Sequence, residues 1–314
     1  MPTVVTLPDP AMPITNAAFD VLARNNAAAS MTVMRDSAVI VNRASGNSIN
    51  GNPATPDSPM VVASVSKLVT AFAVARLDQH GLLDVNATMP WMLMGLAPNE
   101  QWSNVTIREL LDHTSGMPVA RQLWFVGDGD CRSFLPSLLS SPPASHRGVW
   151  RYSNGNYCAL GLLVEFITGQ PLDTAIQQLV FDPLGIDGLH LSTGGLLPTD
   201  VPHPDDLGRL SRLGGAGTFV VSTEDLAAMV AATTFDDVDT LRPPGVFTDQ
   251  YGWGHTGTVS GAISCIWVFE LGRTVVAATI AGDSPADGGT ICDIVVPAIA
   301  DDLGIGQGLP IRTP

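Results

Sequence analysis

The chain has 314 residues, 45% of them hydrophobic, which is enough to fill a substantial core and excludes a disordered chain. Thirty acidic residues against 15 basic ones leave a net charge of -15, a field that repels phosphate backbones and anionic membrane surfaces, so nucleic acid is not an expected partner. No apolar run nears the roughly 20 residues that span a bilayer, and Met1–Thr15 lacks the charged start and apolar stretch of an export signal. The location follows only conditionally: outside the cytoplasm if such a segment was removed, inside it otherwise.

In chain order, Thr15–Asn26 has the spacing of an amphipathic helix, and Met31–Met34 and Ala38–Val41 read as two strands around a turn at Arg35-Asp36-Ser37. Lys67–Gln79 is apolar on nearly every face and stops at Gly81; a helix of that kind belongs in the interior, with Ser64 and Lys67 at its first turn. From Asp84 to about Leu207 the patterns are helical, broken by Pro and Gly, with almost no strand signal. Thr106 and Glu109 form a capping-box pair there, and Tyr157–Thr168 is a helix ended by Gly169. Strands return at His255–Val259, Ile263–Leu271 and Thr274–Ala281, followed by a helix over Thr290–Leu303. The predicted architecture is α+β: an antiparallel sheet flanked by helices, built from both chain ends (1–83 and 208–314), with an inserted all-helical lobe (84–207) and the site in the cleft at the boundary.

The four cysteines, Cys131, Cys158, Cys265 and Cys292, are widely spaced and form no C-x-x-C pair. They read as buried thiols, with a Cys265–Cys292 bridge as the alternative. The six histidines show no metal-ligand spacing, so neither a metal nor another cofactor is expected. Gly214-Gly215-Ala216-Gly217 lacks the preceding strand that a dinucleotide loop requires, and no G-x-S-x-G elbow is present.

Among the 15 basic residues only one, Lys67, is a lysine. Arginine stays protonated at any accessible pH, whereas burial can push a lysine to its neutral, basic form. Ser64 precedes Lys67 by three positions, so on a helix the two share a face with Cβ atoms roughly 5–6 Å apart. A serine becomes a competent nucleophile when a neighbouring base takes its proton. Read blandly, Ser64 is an N-cap and Lys67 a surface charge, but a charge at the start of a buried helix needs a reason.

Two further clusters carry chemistry. Tyr152-Ser153-Asn154 precedes a helix; a tyrosine with a lowered pKa can share the serine proton, and Asn154 can hold Lys67 or substrate, the plainer alternative being a turn. Gly254-His255-Thr256-Gly257-Thr258 opens a strand whose edge offers amides and hydroxyls to an extended substrate, with His255 able to be charged or neutral near pH 7.

Ser64-x-x-Lys67, Tyr152-Ser153-Asn154 and His255-Thr256-Gly257, in that order, resemble the three motifs of class C β-lactamases, D-alanyl-D-alanine peptidases and their esterase relatives, the penicillin-recognising family. Val105–Pro118, with its Leu-Leu-Asp-His-Thr-Ser-Gly run, Pro183-Leu184-Gly185 and Gly214–Gly217 leading into Ser222–Leu226 are similar to its connecting segments. The resemblance implies Ser64 as nucleophile, Lys67 as its activator, Tyr152 as proton shuttle and Asn154 as a contact to substrate and lysine. It places His255, Thr256, Gly257 and Thr258 on the opposite wall, with the amides of Ser64 and Thr258 as oxyanion donors. Whether Lys67 or Tyr152 is the base stays open.

His255 departs from the family's usual lysine and resembles certain secreted D-alanyl-D-alanine carboxypeptidases. Those enzymes need a cation for the substrate's terminal carboxylate, and Arg242 is the nearest basic residue upstream of His255. The expected substrates are a D-Ala-terminated peptide or a small ester, then a β-lactam. The alternative is a binding protein that kept the fold and lost turnover.

Overall fold

The computed structural model describes residues 5–6, 12–119, 129–186, 189–191, 195–203, 207–235, 246–269 and 273–305. Strands β1 (Val5–Thr6), β2 (Ala28–Arg35) and β3 (Ala38–Ser45) come from the start of the chain. Two short strands, β4 (Met60–Val61) and β5 (His190–Leu191), precede β6 (Phe219–Val221). The end supplies β7 (Phe247–Thr248), β8 (Gly252–Val259), β9 (Ala262–Phe269) and β10 (Thr274–Ala281). The helices are α1 (Pro13–Asn25), α2 (Ser66–Gln79), α3 (Ile107–Leu111), α4 (Cys131–Ser140), α5 (Asn154–Thr168), α6 (Leu172–Ile176), α7 (Thr223–Phe235) and α8 (Gly288–Leu303).

The main sheet runs β1-β3-β2-β10-β9-β8-β7 and every pairing in it is antiparallel, so the first hairpin meets the last strands in the middle, Ala28–Arg35 lying opposite Ala281–Thr274. This is the α+β plan read from the sequence. The β2–β3 turn uses Asp36 and Ser37 in the left-handed region (φ 49° and 64°), which gives a hairpin connection the twist of its strands. On one face α1 and α8 pack together over the sheet, burying Phe19 and Leu22 against Ile263, Trp267, Phe269, Ile291 and Val295. Each such side chain contributes about 1.5–3 kcal/mol of burial. The opposite face carries α7 and a larger core that continues through α2 into α4, α5 and α6.

Helix α2 has the interior place its all-round apolar sequence demands, with Leu68, Val69, Phe72, Val74 and Leu77 buried. Thr106 and Glu109 cap α3 reciprocally, and α5 ends on Gly169 in the left-handed conformation. The segment 84–207 is not strand-free: His190–Leu191 pairs with β6, which pairs with β4 in a second, three-stranded sheet. A two-residue strand is too short to show an alternating pattern.

The cysteines correct their first reading. Cys131 is bonded to Cys158 and Cys265 to Cys292, each pair with Cα atoms 5.4 Å apart. Helices α4 and α5 pack against one another, as do β9 and α8, and these contacts join residues 27 positions apart, which spacing alone does not reveal. Among the described residues no helix is long and apolar enough to cross a membrane.

Candidate active site

The chain leaves β4 at Val61, makes a tight 3-10 turn over Ala63–Val65 and enters α2 at Ser66. Ser64 therefore stands in the turn just before the helix, with Ala63 held in the left-handed region (φ 48°), a conformation that surrounding contacts must enforce. Those contacts are visible. Ser264 Oγ donates to Val62 O (2.7 Å), Phe219 N donates to Ser66 Oγ (3.1 Å), and Gly257 of β8 lies so close to Val62 O and Ser264 Oγ that a Cβ there would collide with both.

Lys67 is fully buried on the first turn of α2. Its Nζ lies 3.2 Å from Ser64 Oγ and donates to the Ala216 carbonyl at 2.6 Å, with the Tyr152 ring centre 4.9 Å away. None of the ion pairs seen among the described residues involves Lys67. Burial holds its amine well below the ordinary lysine range. The Ala216 carbonyl is placed by the glycine-rich loop set aside above: Thr70 Oγ1 donates to Gly215 O (2.8 Å), and a Cβ on Gly215 would come within 2.9 Å of Thr70 Oγ1 and 2.8 Å of Tyr157 O. That loop is a lysine anchor, a role carried by a backbone atom.

Tyr152 donates to Ser64 Oγ at 2.9 Å from the opposite side. The lowered pKa expected for it is reversed: burial pushes the phenol up to about 12, only partly offset by its bond to Ser64. His113, missed as a site element, fixes the tyrosine. It is buried with φ 57°; its Nδ1 accepts from Ser153 N (3.3 Å) and faces Asn156 Nδ2 at 2.9 Å, and its ring lies 4.7 Å from that of Tyr152. Ser115 Oγ completes the network on Asn156 Oδ1 (2.7 Å). Burial holds His113 down to about 2, so its ring is neutral. The only hint in the sequence was the His113-Thr114-Ser115-Gly116 run itself.

Ser153 is the N-cap of α5, its Oγ accepting from Gly155 N (3.1 Å) and donating to Pro118 O (2.7 Å). Asn154 follows as the first helical residue; its Oδ1 is buried without a hydrogen-bond partner, and Lys67 bonds to Ala216 rather than to it.

On the other side, β8 passes the Ser64 turn, its outer edge paired with β7 only at Trp253 and Gly254. His255 is buried, 6.5 Å ring to ring from Tyr152 and 5.2 Å from Phe247, with Nδ1 2.7 Å from Thr256 O. Burial lowers it to about 3, so it is neutral through the physiological range and not the pH-sensitive wall its residue type suggested. Thr256 and Thr258 stand opposite Cys265 and Ile263 on the sheet face under α8, and Thr258 Oγ1 accepts from Gly288 N at 2.9 Å. Arg242 lies outside the described residues.

Ser64, Lys67, Tyr152 and His255 are thus gathered into one cluster, with Gly257 setting how near the two walls approach. The chain is similar to known proteins. Esterase EstB of Burkholderia gladioli is 34% identical over 174 residues, covering 49% of this chain and 44% of its own. Penicillin-binding protein 4* of Bacillus subtilis is 27% identical over 160 residues, covering 48% and 34%. These matches span less than half the length of either relative. The crystal structure of the D-amino acid amidase from Ochrobactrum anthropi, complexed with L-phenylalanine amide, superposes with a TM-score of 0.72 over 92% of this chain and 99% of that one, at 20% identity, which supports the fold. The Beta-lactamase family model matches residues 16–298, and the chain belongs to that family.

Proposed function

We propose that this chain is a serine hydrolase that turns over an ester or amide through an acyl-Ser64 intermediate, as a D-alanyl-D-alanine carboxypeptidase-like or carboxylesterase-like enzyme, at the junction of the segment 84–207 with the sheet. The observation that carries the reading is the double contact of Ser64 Oγ, 3.2 Å from a fully buried lysine amine and 2.9 Å from a partly buried phenol.

The electrostatics divide the roles. Burial favours the neutral form of the Lys67 amine, and in that form it has a lone pair for the Ser64 proton while it donates to Ala216 O, so this reading assigns Lys67 as the base. Tyr152 keeps its proton at neutral pH and serves as donor. In acylation the Ser64 Oγ–carbonyl carbon bond forms, the serine proton passes to Lys67 Nζ, and the leaving group departs with a proton from Tyr152, which Lys67 replaces. Water then attacks the acyl ester, gives its proton back through the same pair, and Ser64 leaves protonated. The amides of Ser64 and Thr258 are the proposed oxyanion donors, each worth about 3–4 kcal/mol in the transition state.

Intact-protein mass spectrometry after incubation with a fluorescent penicillin and, separately, with p-nitrophenyl acetate tests this. The expected result is an acyl adduct on the native protein that is absent from Ser64→Ala. Labelling that survives the substitution, or no labelling by either reagent, refutes the reading and favours a non-catalytic binding protein.

A further inference from the structure

We propose that the site selects uncharged acyl donors bearing an aromatic ring, and that Trp150 and Phe247 are the residues that take up the ring; this rests on the serine hydrolase reading and, of its two branches, favours the carboxylesterase-like one. Five rings form a closed circuit beside the nucleophile. His113 lies 6.3 Å from Trp150, Trp150 lies 6.5 Å from Phe247, Phe247 lies 5.2 Å from His255, His255 lies 6.5 Å from Tyr152, and Tyr152 lies 4.7 Å from His113. All five separations fall in the range at which ring pairs attract through offset or edge contacts. Tyr152 ties the circuit to the chemistry by its bond to Ser64 Oγ.

The members differ in what they can offer a ligand. His113 and His255 are buried, whereas Trp150 is 55% exposed and Phe247 is partly exposed. Trp150 comes from the segment just before Tyr152, and Phe247 from the edge strand β7. An indole left half in water two residues from the partly buried Tyr152, and meeting a phenylalanine from the far wall edge-on, leaves apolar surface for a ligand ring to cover. A substrate ring laid on Trp150 and Phe247 does that beside the His113 and His255 rings that flank Tyr152.

Among the described residues, charge at the site disfavours a second class of donor. A substrate carboxylate needs a cation or a free N–H group. His255 has its single Nδ1 proton directed at Thr256 O, and Lys67 is committed to Ala216 O and Ser64 Oγ, so neither is positioned as a carboxylate partner. The net charge of -15 opposes the approach of an anion further.

The test is a set of three p-nitrophenyl esters, the phenylacetate, the butyrate and the hemisuccinate, with each kcat/KM normalised to the ester's alkaline hydrolysis rate. The expected order is phenylacetate above butyrate by at least about tenfold, and hemisuccinate below butyrate by a similar factor. Trp150→Ala and Phe247→Ala should each cut the phenylacetate-to-butyrate ratio about tenfold, mostly through KM, and Trp150→Phe should restore much of it. Should an alanine variant fail to fold, the wild-type ratios and Trp150→Phe still decide. Equal handling of the three esters, preference for the hemisuccinate, or alanine variants with unchanged ratios would overturn the inference while leaving Ser64-dependent hydrolysis intact. Absence of Ser64-dependent turnover on all three would instead remove the hydrolase reading, and the inference with it.

Discussion

Two buried basic side chains, each beside one of the two larger cores of the described residues, are held in opposite ways. Arg43, on β3 beside the core under α1 and α8, is largely buried but keeps its charge compensated: its guanidinium bonds Asp20 at 2.7 Å and the Asn16 carbonyl at 2.9 Å, and stacks 4.4 Å from the Phe19 ring centre. Lys67, in the core around α2, has a carbonyl, a serine hydroxyl and a phenol ring, and none of the ion pairs among the described residues supplies it a carboxylate. Arginine is suited to the first place because it cannot shed its proton, and lysine to the second because it can. The first core compensates a buried cation by pairing it; in the second, burial without a carboxylate lowers the lysine's hold on its proton. Under the proposed function, that contrast explains why a chain that uses arginine everywhere else has a lysine at position 67.

The sharpest way to break the contrast is to exchange the residue types. Lys67→Arg should lower kcat/KM for p-nitrophenyl acetate by about 10³-fold or more, since a guanidinium cannot take the Ser64 proton, whereas Arg43→Lys should leave it within about twofold, because the ion pair with Asp20 survives. Comparable losses in both variants would mean that Lys67 acts only as a charge or a packing element. Next in size is a change confined to the outer core: Phe269→Ala, at a fully buried position on β9, should cost about 3–5 kcal/mol in denaturant unfolding with kcat/KM unchanged at 25 °C. A parallel loss of activity would show that the two cores do not act independently. Tyr152→Phe comes third, with an expected loss of about 10²-fold in kcat/KM, greatest for esters with poor leaving groups, since the ring stays in its contacts with His113 and only the proton donor is gone. Equal losses across leaving groups would assign Tyr152 to positioning.

What was legible in the sequence follows the same division. Ser64, Lys67, Tyr152 and His255 stood out because side-chain chemistry at fixed spacing is written in the residues themselves. The Ala216 carbonyl was not, because any residue supplies a carbonyl; what matters is that Gly215 can sit against Thr70 and Tyr157, a contact between segments far apart in the chain. The ring circuit draws on four separate segments and left no local pattern. The long strands β2, β3, β8, β9 and β10 of the main sheet were readable from alternation or apolar runs, while β1, β4, β5 and β7, two residues each, exist only through their pairing with neighbouring strands. The protonation states of Tyr152 and His255 were misjudged for one shared reason: residue type gives the ordinary pKa, and burial, which here moves the phenol up and the imidazole down, appears only when the chain is folded.

The smallest effect bears most directly on the lowered pKa of Lys67. Its pKa is lowered in the folded protein, so between that lowered value and the unfolded lysine value of about 10.5 the unfolded chain binds a proton that the native state does not. Stability from this residue therefore rises with pH across that window, and the penalty of burying it is largest on the acid side. Lys67→Met removes the penalty at every pH and leaves all other titrating groups in place, so the difference between the two proteins isolates Lys67. At pH 7 the variant should be the more stable, melting a few degrees higher, while being inactive. The gap should shrink by up to about 1.4 kcal/mol per pH unit as pH approaches 10.5. Unfolding by urea at pH 7, 8.5 and 10 measures it. A gap that does not change with pH would mean that Lys67 titrates alike folded and unfolded, and the proton accepted from Ser64 would then have to go elsewhere.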